Sequence, residues 1–259
     1  MNRELEVAVA AAQAGAAALG AAASGDLEIS YKDDRANLVT AADRKSQQAI
    51  TAVILDAFPG HAIVGEEGTT GDPGGTDVWY VDPLDGTTNY THGLPYYCVS
   101  IALRTAGETT TGVVYDPCHD EMYAAARHHG ATRNGKKLRV SGVTRLDSAL
   151  VVAQAQSADP AEIKAYASLA ERLLNVSGGL RSLGSPALTL CAIAAGRLEA
   201  YCEYAMDPWD IAAGQLILEE AGGALTTFAG RPHRTAARAD VVASNGRIHA
   251  ELLTALKEL

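Results

Sequence analysis

Three groups of acidic residues lie far apart in the sequence and could act together on one ligand. Glu66 and Glu67 form the first group, Asp82 and Asp85 the second, and Asp210 the third. Carboxylate oxygens and backbone carbonyls are the ligands that Mg²⁺ prefers in proteins, whereas Zn²⁺ favours nitrogen and sulfur. The residue types therefore indicate chemistry that depends on a hard divalent cation.

The middle group also has the features of a phosphate site. Pro83 forces a turn that directs Asp85 back toward Asp82. Gly86 allows a tight backbone, so that its amide and that of Thr87 can point at a phosphate. A phosphate near carboxylates is repelled, by roughly 4 kcal/mol for each unit-charge pair ~4 Å apart at an effective dielectric constant of ~20. The acidic groups and the phosphate cradle are compatible only if a cation lies between them.

Each group has a simpler explanation when it is taken alone. Asp-Pro and Asp-Gly pairs are common in turns, and two adjacent glutamates are typical of a solvated loop. Asp210 precedes an apolar stretch and is most simply an N-cap of a helix. Only the combination of the three groups favours a metal site over these alternatives.

The elements that must position these groups follow from hydrophobic periodicity and turn residues. An α+β half over residues 1–145 is predicted to precede an α/β half over residues 146–259. The predicted helices cover 3–24, ending at Gly25, and 41–57, 160–174, 186–195, 210–221 and 246–258. The predicted strands cover 62–65, 78–81, 99–104, 111–115, 121–125, 149–153, 180–183, 198–203, 224–228 and 241–243, with an exposed loop at 68–77 and a hairpin over 130–140.

Composition and net charge indicate a globular protein and argue against several kinds of partner. The chain has 259 residues, 47% of them hydrophobic, and a net charge of −10. This charge argues against a nucleic-acid or anionic-membrane partner, since both require clustered Lys and Arg. The Ala-rich stretch at residues 3–24 is predicted to be a soluble helix, because Ala forms helices well and inserts poorly into membranes. Four scattered cysteines are typical of a reducing, cytoplasmic location.

Taken together, the motifs resemble those of the inositol monophosphatase family of metal-dependent sugar phosphatases. The resemblance spans nearly the whole chain and implies a layered α/β/α/β/α sandwich with the site between the two halves. It is carried by NLVTAAD at 37–43, GEE at 65–67, WYVDPLDGTTNY at 79–90, DPWDIAAG at 207–214 and EAGG at 220–223. Asn37 and Pro186 depart from residues common in the family, and Pro186 affects the expected shape of the sugar pocket.

The resemblance also implies site residues. Two Mg²⁺ ions, with a weaker third near Glu66, would be bound by acidic ligands and one carbonyl. The implied ligands are Glu66, Asp82 and the carbonyl of Leu84 for the first ion, and Asp82, Asp85 and Asp210 for the second. The implied catalytic residues are Glu66 and the hydrogen-bonded pair Thr87 and Asp43, which would position the attacking water. The implied substrate-binding residues are Asp85, Gly86, Thr87, Gly184, Ser185, Pro186, Glu203 and Asp210, with Glu203 as the ligand of the polyol.

The activity implied is hydrolysis of inositol monophosphate, or of a related polyol phosphate, by direct attack of water and without a phospho-enzyme. The family resemblance further implies a lithium-sensitive homodimer. Histidinol phosphate, fructose 1,6-bisphosphate, 3′-phosphoadenosine nucleotides and an aminocyclitol phosphate remain alternative substrates. A non-catalytic partner of the transcription machinery is an alternative from a different functional class.

Overall fold

The computed structural model describes residues 3–23, 29–31, 38–155, 159–233 and 237–257. Gly25, the predicted end of the first helix, and Asn37 lie outside these residues. The helices of the described chain are α1 (Arg3–Ala22), α2 (Ala41–Ala57), α3 (Thr87–Thr91), α4 (Pro160–Val176), α5 (Pro186–Ala194), α6 (Pro208–Glu220) and α7 (His249–Leu256). A short antiparallel pair, β1 (Ile29–Tyr31) and β2 (Leu38–Thr40), precedes α2.

An eight-stranded sheet forms the N-terminal part of the fold. Its strand order is β10-β9-β8-β7-β6-β5-β3-β4, and only the β3–β5 pair is parallel. The strands are β3 (Ala62–Gly65), β4 (Gly68–Thr70), β5 (Asp77–Asp85), β6 (Cys98–Thr105), β7 (Glu108–Asp116), β8 (Glu121–Ala126), β9 (Ala131–Arg133) and β10 (Lys136–Lys137). Strand β4 lies in the predicted loop, which is exposed as expected but pairs with the edge of β3.

Alternating side chains of β5 enter two different cores. Trp79 and Val81 pack in a cluster with α1 and α2, whereas Val78 and Tyr80 pack in a second cluster with α5 and α6. Because successive side chains of a strand point to opposite faces, this near-continuous apolar stretch indicates a sheet that is covered on both sides.

A five-stranded sheet forms the C-terminal part, in the order β12-β11-β13-β15-β14. One face packs against α5 and α6, and the other packs against α4 and α7. The layers therefore follow the sequence α/β/α/β/α, which confirms the predicted fold class. The strands are β11 (Leu150–Ala153), β12 (Gly179–Arg181), β13 (Ala200–Met206), β14 (Ala224–Thr226) and β15 (Ala239–Ser244).

Helix α1 is long and apolar enough to cross a membrane by length and composition alone, and it is the one such helix in the described ranges. Its buried residues, including Ala8, Ala12 and Leu19, pack instead against α2 and the eight-stranded sheet. The hydroxyl of Tyr90 also donates a hydrogen bond to the carbonyl of Leu19, at 2.8 Å. These contacts are those of a core helix in a globular fold.

Two elements near the acidic motif differ from the predictions. Strand β5 continues beyond Asp82 to Asp85, which pairs with Cys98 after an irregularity in the register. The short helix α3, which the sequence analysis did not predict, begins directly after Gly86. The two sheets occupy residues 62–137 and 150–244. Whether residues 1–145 and 146–259 are separate domains stays a prediction.

Candidate active site

The first two acidic groups meet where the neighbouring strands β3 and β5 run toward their carboxyl ends. Strands β3 and β5 are parallel, with Gly65 opposite Val81, so Glu66 and Asp82 follow at adjacent strand positions. The backbone amide of Glu66 donates to the carbonyl of Val81 at 3.1 Å, which fixes this register. The sheet thus places the two carboxylates side by side, as the carboxyl ends of parallel strands often do in ligand sites.

The carboxylate of Asp85 is held by two groups at the beginning of α5 and by one on β6. Its Oδ2 accepts hydrogen bonds from Ser185 Oγ at 2.5 Å and from the Ala187 amide at 2.8 Å, and a weaker one from Cys98 Sγ at 3.5 Å. All three bonds use the same oxygen atom. Asp85 therefore connects the eight-stranded sheet to the beginning of α5 and keeps Oδ1 for another ligand.

Asp210 reaches the same region from α6. It lies in the first turn of the helix, and its Oδ2 accepts a hydrogen bond from the backbone amide of Asp207 at 3.0 Å. The N-cap residue is Asp207, so the simpler explanation that Asp210 itself is the N-cap is wrong. Ser100, which pairs with Asp82 across β5 and β6, donates to the carbonyl of Trp209 at 3.2 Å and ties this helix end to the sheet.

Thr87 and Asp43 are in contact, as predicted. The Thr87 hydroxyl lies 3.2 Å from Asp43 Oδ1 and 3.0 Å from the carbonyl oxygen of Leu84, and its single hydrogen is shared between these acceptors. Asp43 is buried in the first turn of α2. The neighbouring Ser46 donates to the carbonyl of Pro83 at 2.8 Å, so α2 fixes the position of the acidic loop.

Gly86 makes the sharp turn between β5 and α3. Its φ of 94° lies in the left-handed region, where residues with a Cβ are strained. A Cβ at this position would lie 3.0 Å from the carbonyl oxygen of Tyr96 and 3.2 Å from the Cβ of Tyr97. Both the backbone angle and the available space therefore require glycine here.

Glu203 lies on the other sheet and faces the middle layer. The side chain is only 3% exposed, and one of its oxygens accepts a hydrogen bond from the hydroxyl of Tyr201. Burial raises the pKa of Glu203 to about 8, although Tyr201 and the side-chain amide of Gln154 favour the ionised form. The other predicted pocket residues are close by, since the Gly184 amide donates to Gln154 Oε1 at 2.8 Å, and Ser185 and Pro186 begin α5.

The acidic residues perturb one another strongly. Burial raises the pKa of Asp82 well above its usual range, and the charges of Glu66, Asp85 and Asp210 raise it further. Burial likewise raises the pKa of Asp210, with added repulsion from Glu66 and Asp85. The pKa of Asp85 rises to about 7 because burial outweighs its hydrogen bonds. Among the described residues, the groups with the largest effects on these three pKa values include no Lys or Arg that would neutralise the carboxylates.

The donor set fits a hard divalent cation. Asp82 and Asp85 are 2% and 3% exposed, and buried carboxylates without a cationic partner are unstable when ionised. As they stand, no three Asp, Glu, His or Cys side chains of the described chain close around a single point that could hold a metal. Binding an ion would therefore require these side chains to turn toward each other, and the charge of the ion would offset part of their mutual repulsion.

Sequence reasoning missed several residues that shape the site. The hydroxyl of Ser185 donates to Asp85, a contact that was not predicted, and its expected role in substrate binding stays a prediction. Ser100, Ser46 and Gln154 were not predicted at all. These contacts join residues 30 to 109 positions apart, so no local sequence pattern predicts them. The position of Gln154 directly after an apolar strand is the one signal that was present.

Comparison with known proteins agrees with this geometry. A Nus factor SuhB from Pseudomonas aeruginosa is 38% identical over 236 residues, covering 89% of this chain and 86% of that protein. The inositol monophosphatase of Anabaena is 36% identical, with a TM-score of 0.86, and the match covers 98% of this chain and 95% of that one. The extragenic suppressor protein suhB of Bartonella henselae is 32% identical, with a TM-score of 0.92, and covers 99% of both chains. Residues 1–259 match the family as a whole, and the chain belongs to the inositol monophosphatase family.

Proposed function

We propose that this protein is a Mg²⁺-dependent phosphomonoesterase that hydrolyses inositol monophosphate or a closely related polyol phosphate. The observation that carries the proposal is the electrostatic contact among Glu66, Asp82, Asp85 and Asp210. Burial raises the pKa of the three aspartates, and the charge of Glu66 raises each of these pKa values further. A cluster of this kind is stable in ionised form only with cations, and a cation makes room for a phosphate.

In this proposal, different residues of the chain bind the metal ions, orient the water and bind the phosphate. When bound, Mg²⁺ would activate water and stabilise negative charge on the leaving oxygen. Glu66, Asp82, Asp85, Asp210 and the Leu84 carbonyl would hold two ions, or three with a weaker one near Glu66.

The neighbouring backbone and side chains complete the arrangement. The hydroxyl hydrogen of Thr87 is directed at Asp43 and the Leu84 carbonyl, so its oxygen is left to accept a hydrogen bond from the attacking water. The backbone amides of Gly86 and Thr87 bind the phosphate oxygens. Attack by water then occurs directly, without a phosphorylated residue.

Glu203 favours a substrate with hydroxyl groups. Its carboxylate is buried, and one oxygen is bound by Tyr201, so the second is available to accept a hydrogen bond from a substrate hydroxyl. Histidinol phosphate, fructose 1,6-bisphosphate, 3′-phosphoadenosine nucleotides and aminocyclitol phosphates remain alternatives, because the phosphate-binding part of the site would be the same for all of them.

A direct test is phosphate release from this panel of substrates, measured with and without Mg²⁺. We expect the highest kcat/KM for inositol 1-phosphate, no turnover in EDTA, and inhibition by Li⁺. A higher kcat/KM for another member of the panel would reassign the substrate. Absence of turnover for every substrate at saturating Mg²⁺ would contradict the enzymatic function itself.

A second candidate function rests on the relatives that are named Nus factor SuhB. Such a protein could act as a partner of the transcription machinery without catalysis. The net charge of −10 argues against direct nucleic-acid binding and leaves a protein contact as the mode of association. Retention of RNA polymerase on the immobilised protein, with a cellular role that survives an inactivating Asp210→Asn change, would favour this candidate.

The remaining predictions concern assembly and location. We propose a cytoplasmic homodimer that binds neither nucleic acid nor membrane. Light scattering during gel filtration would test the oligomeric state, and fractionation of cells would test the location. A monomer at micromolar concentration, or a membrane-associated pool, would contradict the respective prediction.

A further inference from the structure

Gln154 lies next to Glu203 because of the pairing between β11 and β13. These strands are parallel, with Val152 opposite Tyr201 and Ala153 opposite Cys202. The next position along each strand is Gln154 and Glu203. Since side chains alternate between faces, both residues share the face of Val152 and Tyr201.

The face that they share points to the middle of the molecule. Val152 and Tyr201 belong to the core cluster that contains α5 and α6, whereas Ala153 and Cys202 belong to the outer cluster beneath α4 and α7. Gln154 is therefore directed toward the layer that carries the acidic site, and its side chain is only 2% exposed.

The two ends of the Gln154 amide have different surroundings. Oε1 accepts the backbone amide of Gly184 at 2.8 Å, which fixes the orientation of the group. Nε2 is buried and has no hydrogen-bond partner among the described residues. A buried donor without a partner is destabilising, so this atom needs an acceptor when the protein binds substrate.

Glu203 offers that acceptor. Tyr201 donates to Oε2 of Glu203, which leaves Oε1 with a lone pair for the amide. The Gln154 amide already favours the ionised form of this carboxyl group. A small rotation of either side chain would connect Nε2 to Glu203 and join the carboxylate to the Gly184 turn.

We propose that Gln154 is a positioning residue for Glu203, which holds the carboxylate through Nε2 and the Gly184 turn through Oε1 so that Glu203 can recognise a substrate hydroxyl. The inference rests on the proposed polyol phosphatase function. It assigns to Gln154 an effect on the binding of hydroxyl-bearing substrates and none on the phosphate chemistry.

The test compares two substrates, inositol 1-phosphate and p-nitrophenyl phosphate, which has no ring hydroxyls. Gln154→Met removes both polar atoms at nearly constant volume. We expect kcat/KM for inositol 1-phosphate to fall by about tenfold, mainly through KM, which corresponds to the loss of roughly one hydrogen bond to a charged group. We expect kcat/KM for p-nitrophenyl phosphate to change less than about twofold, since that substrate makes no contact with Glu203.

Gln215→Met is the matched control. Gln215 is also a buried glutamine with an unpaired side-chain atom, but it donates to Glu219 near the end of α6. The variant should leave the ratio of the two kcat/KM values unchanged. Glu203→Gln should lower kcat/KM for inositol 1-phosphate but not for p-nitrophenyl phosphate, as Gln154→Met does. The double variant should have a kcat/KM for inositol 1-phosphate only slightly below that of either single variant, because the two residues act together.

Gln154→Glu separates positioning from packing. It keeps the acceptor for Gly184 and replaces only the Nε2 donor, and in its protonated form the new carboxyl can still donate to Glu203. The preference for inositol 1-phosphate over p-nitrophenyl phosphate should therefore recover as the pH falls in Gln154→Glu, but not in Gln154→Met. The rise in melting temperature on adding myo-inositol with phosphate should follow the same pattern.

The outcomes separate this inference from the function on which it rests. If the wild-type protein hydrolyses both substrates and Gln154→Met lowers both kcat/KM values equally, the positioning role is wrong and the phosphatase function stands. Additive losses in the double variant, or no pH-dependent recovery in Gln154→Glu, would also overturn it. If the wild-type protein hydrolyses neither substrate at saturating Mg²⁺, both proposals fail.

Discussion

At the scale of single residues, the site is defined by charge that the protein alone does not balance. Asp82 is almost fully buried, and both burial and neighbouring carboxylates raise its pKa. Desolvated like charges of this kind are destabilising unless a cation or a proton neutralises them. Protons and the proposed Mg²⁺ ions would therefore compete for the same oxygen atoms.

Asp210→Asn is expected to abolish Mg²⁺-dependent phosphate release. The amide keeps the shape of the side chain but removes one negative charge. Loss of a residue that only supports a metal ligand typically lowers metal affinity or activity by roughly 10–100-fold. Loss of a ligand itself should therefore lower kcat/KM by at least about a hundredfold. Asp207→Asn is the control, since it changes the N-cap of the same helix and asparagine is an equally good cap. Full activity of Asp210→Asn at limiting Mg²⁺ would show that this residue is not a ligand.

Burial raises the pKa of Asp85 to about 7, so the stability of the metal-free protein should depend on pH. A carboxyl group whose pKa is higher in the folded state stabilises the fold at low pH, and this contribution is lost as the pH rises through the folded pKa. In EDTA at about pH 8, Asp85→Asn should therefore melt at a higher temperature than the wild type, by several degrees if the gain is about 1–2 kcal/mol.

The same comparison near pH 3 should show little difference, because Asp85 is then protonated in both the folded and the unfolded state. Added Mg²⁺ should raise the melting temperature of the wild type at pH 8 far more than that of the variant. A variant that is less stable than the wild type in EDTA at pH 8 would show that the hydrogen bonds of Asp85 outweigh its desolvation.

At the scale of elements, the site depends on how one strand ends. Strand β5 carries Asp82 and Asp85, and Gly86 turns the chain into α3 through a left-handed conformation. A change that distorts this turn would move both the carboxylates and the proposed phosphate-binding amides of Gly86 and Thr87.

Gly86→Ala is expected to destabilise the fold and to lower activity together. The backbone angle alone costs about 1–2 kcal/mol for a residue with a Cβ, and the close carbonyl of Tyr96 adds to this cost. Gly93→Ala is the matched control, because its φ of 71° is also left-handed but no atom lies within 4 Å of the added Cβ. Urea unfolding should show a larger loss for Gly86→Ala, and equal losses would mean that crowding contributes nothing.

The elements also show what the sequence could and could not reveal. The meeting of Glu66 with Asp82 was predictable, because both follow apolar β-type stretches that form parallel strands. The continuation of β5 to Asp85 was not, since Pro83 indicates a turn while the ladder resumes only through tertiary pairing with Cys98. Local propensity describes the turn correctly, but it carries no information about the partner strand.

At the scale of the whole molecule, charged contacts connect the layers at the surface. Arg197, which follows α5, forms two hydrogen bonds with the carboxylate of Glu121 on β8, at 2.6 and 2.8 Å. Hydrogen bonds from Arg197 and Tyr123 lower the pKa of Glu121 to about 2, although burial opposes the shift. The middle helical layer is thus attached to the eight-stranded sheet through β8 as well as through Asp85.

Glu121→Gln is expected to cost about 1 kcal/mol or less at neutral pH, because Arg197 is half exposed and water screens the pair. A carboxyl group whose pKa is lowered in the folded state stabilises the fold above its unfolded pKa, and the contribution disappears as the pH falls toward about 2. Denaturant unfolding at pH 7 and pH 3 should show the difference between variant and wild type shrinking at the lower pH. The kcat and KM values should not change, since neither Glu121 nor Arg197 is among the proposed site residues.

The bonds of Asp85 to Ser185 and Ala187 have a consequence for how the chain can be divided. The carboxylate belongs to the first sheet, while its donors come from a segment that follows the first strand of the second sheet. Two fragments cut near residue 145 would each carry an incomplete catalytic centre. Phosphatase activity would return only when the two fragments reassemble. Mixing the fragments would therefore test both the docking of the layers and the formation of the complete site.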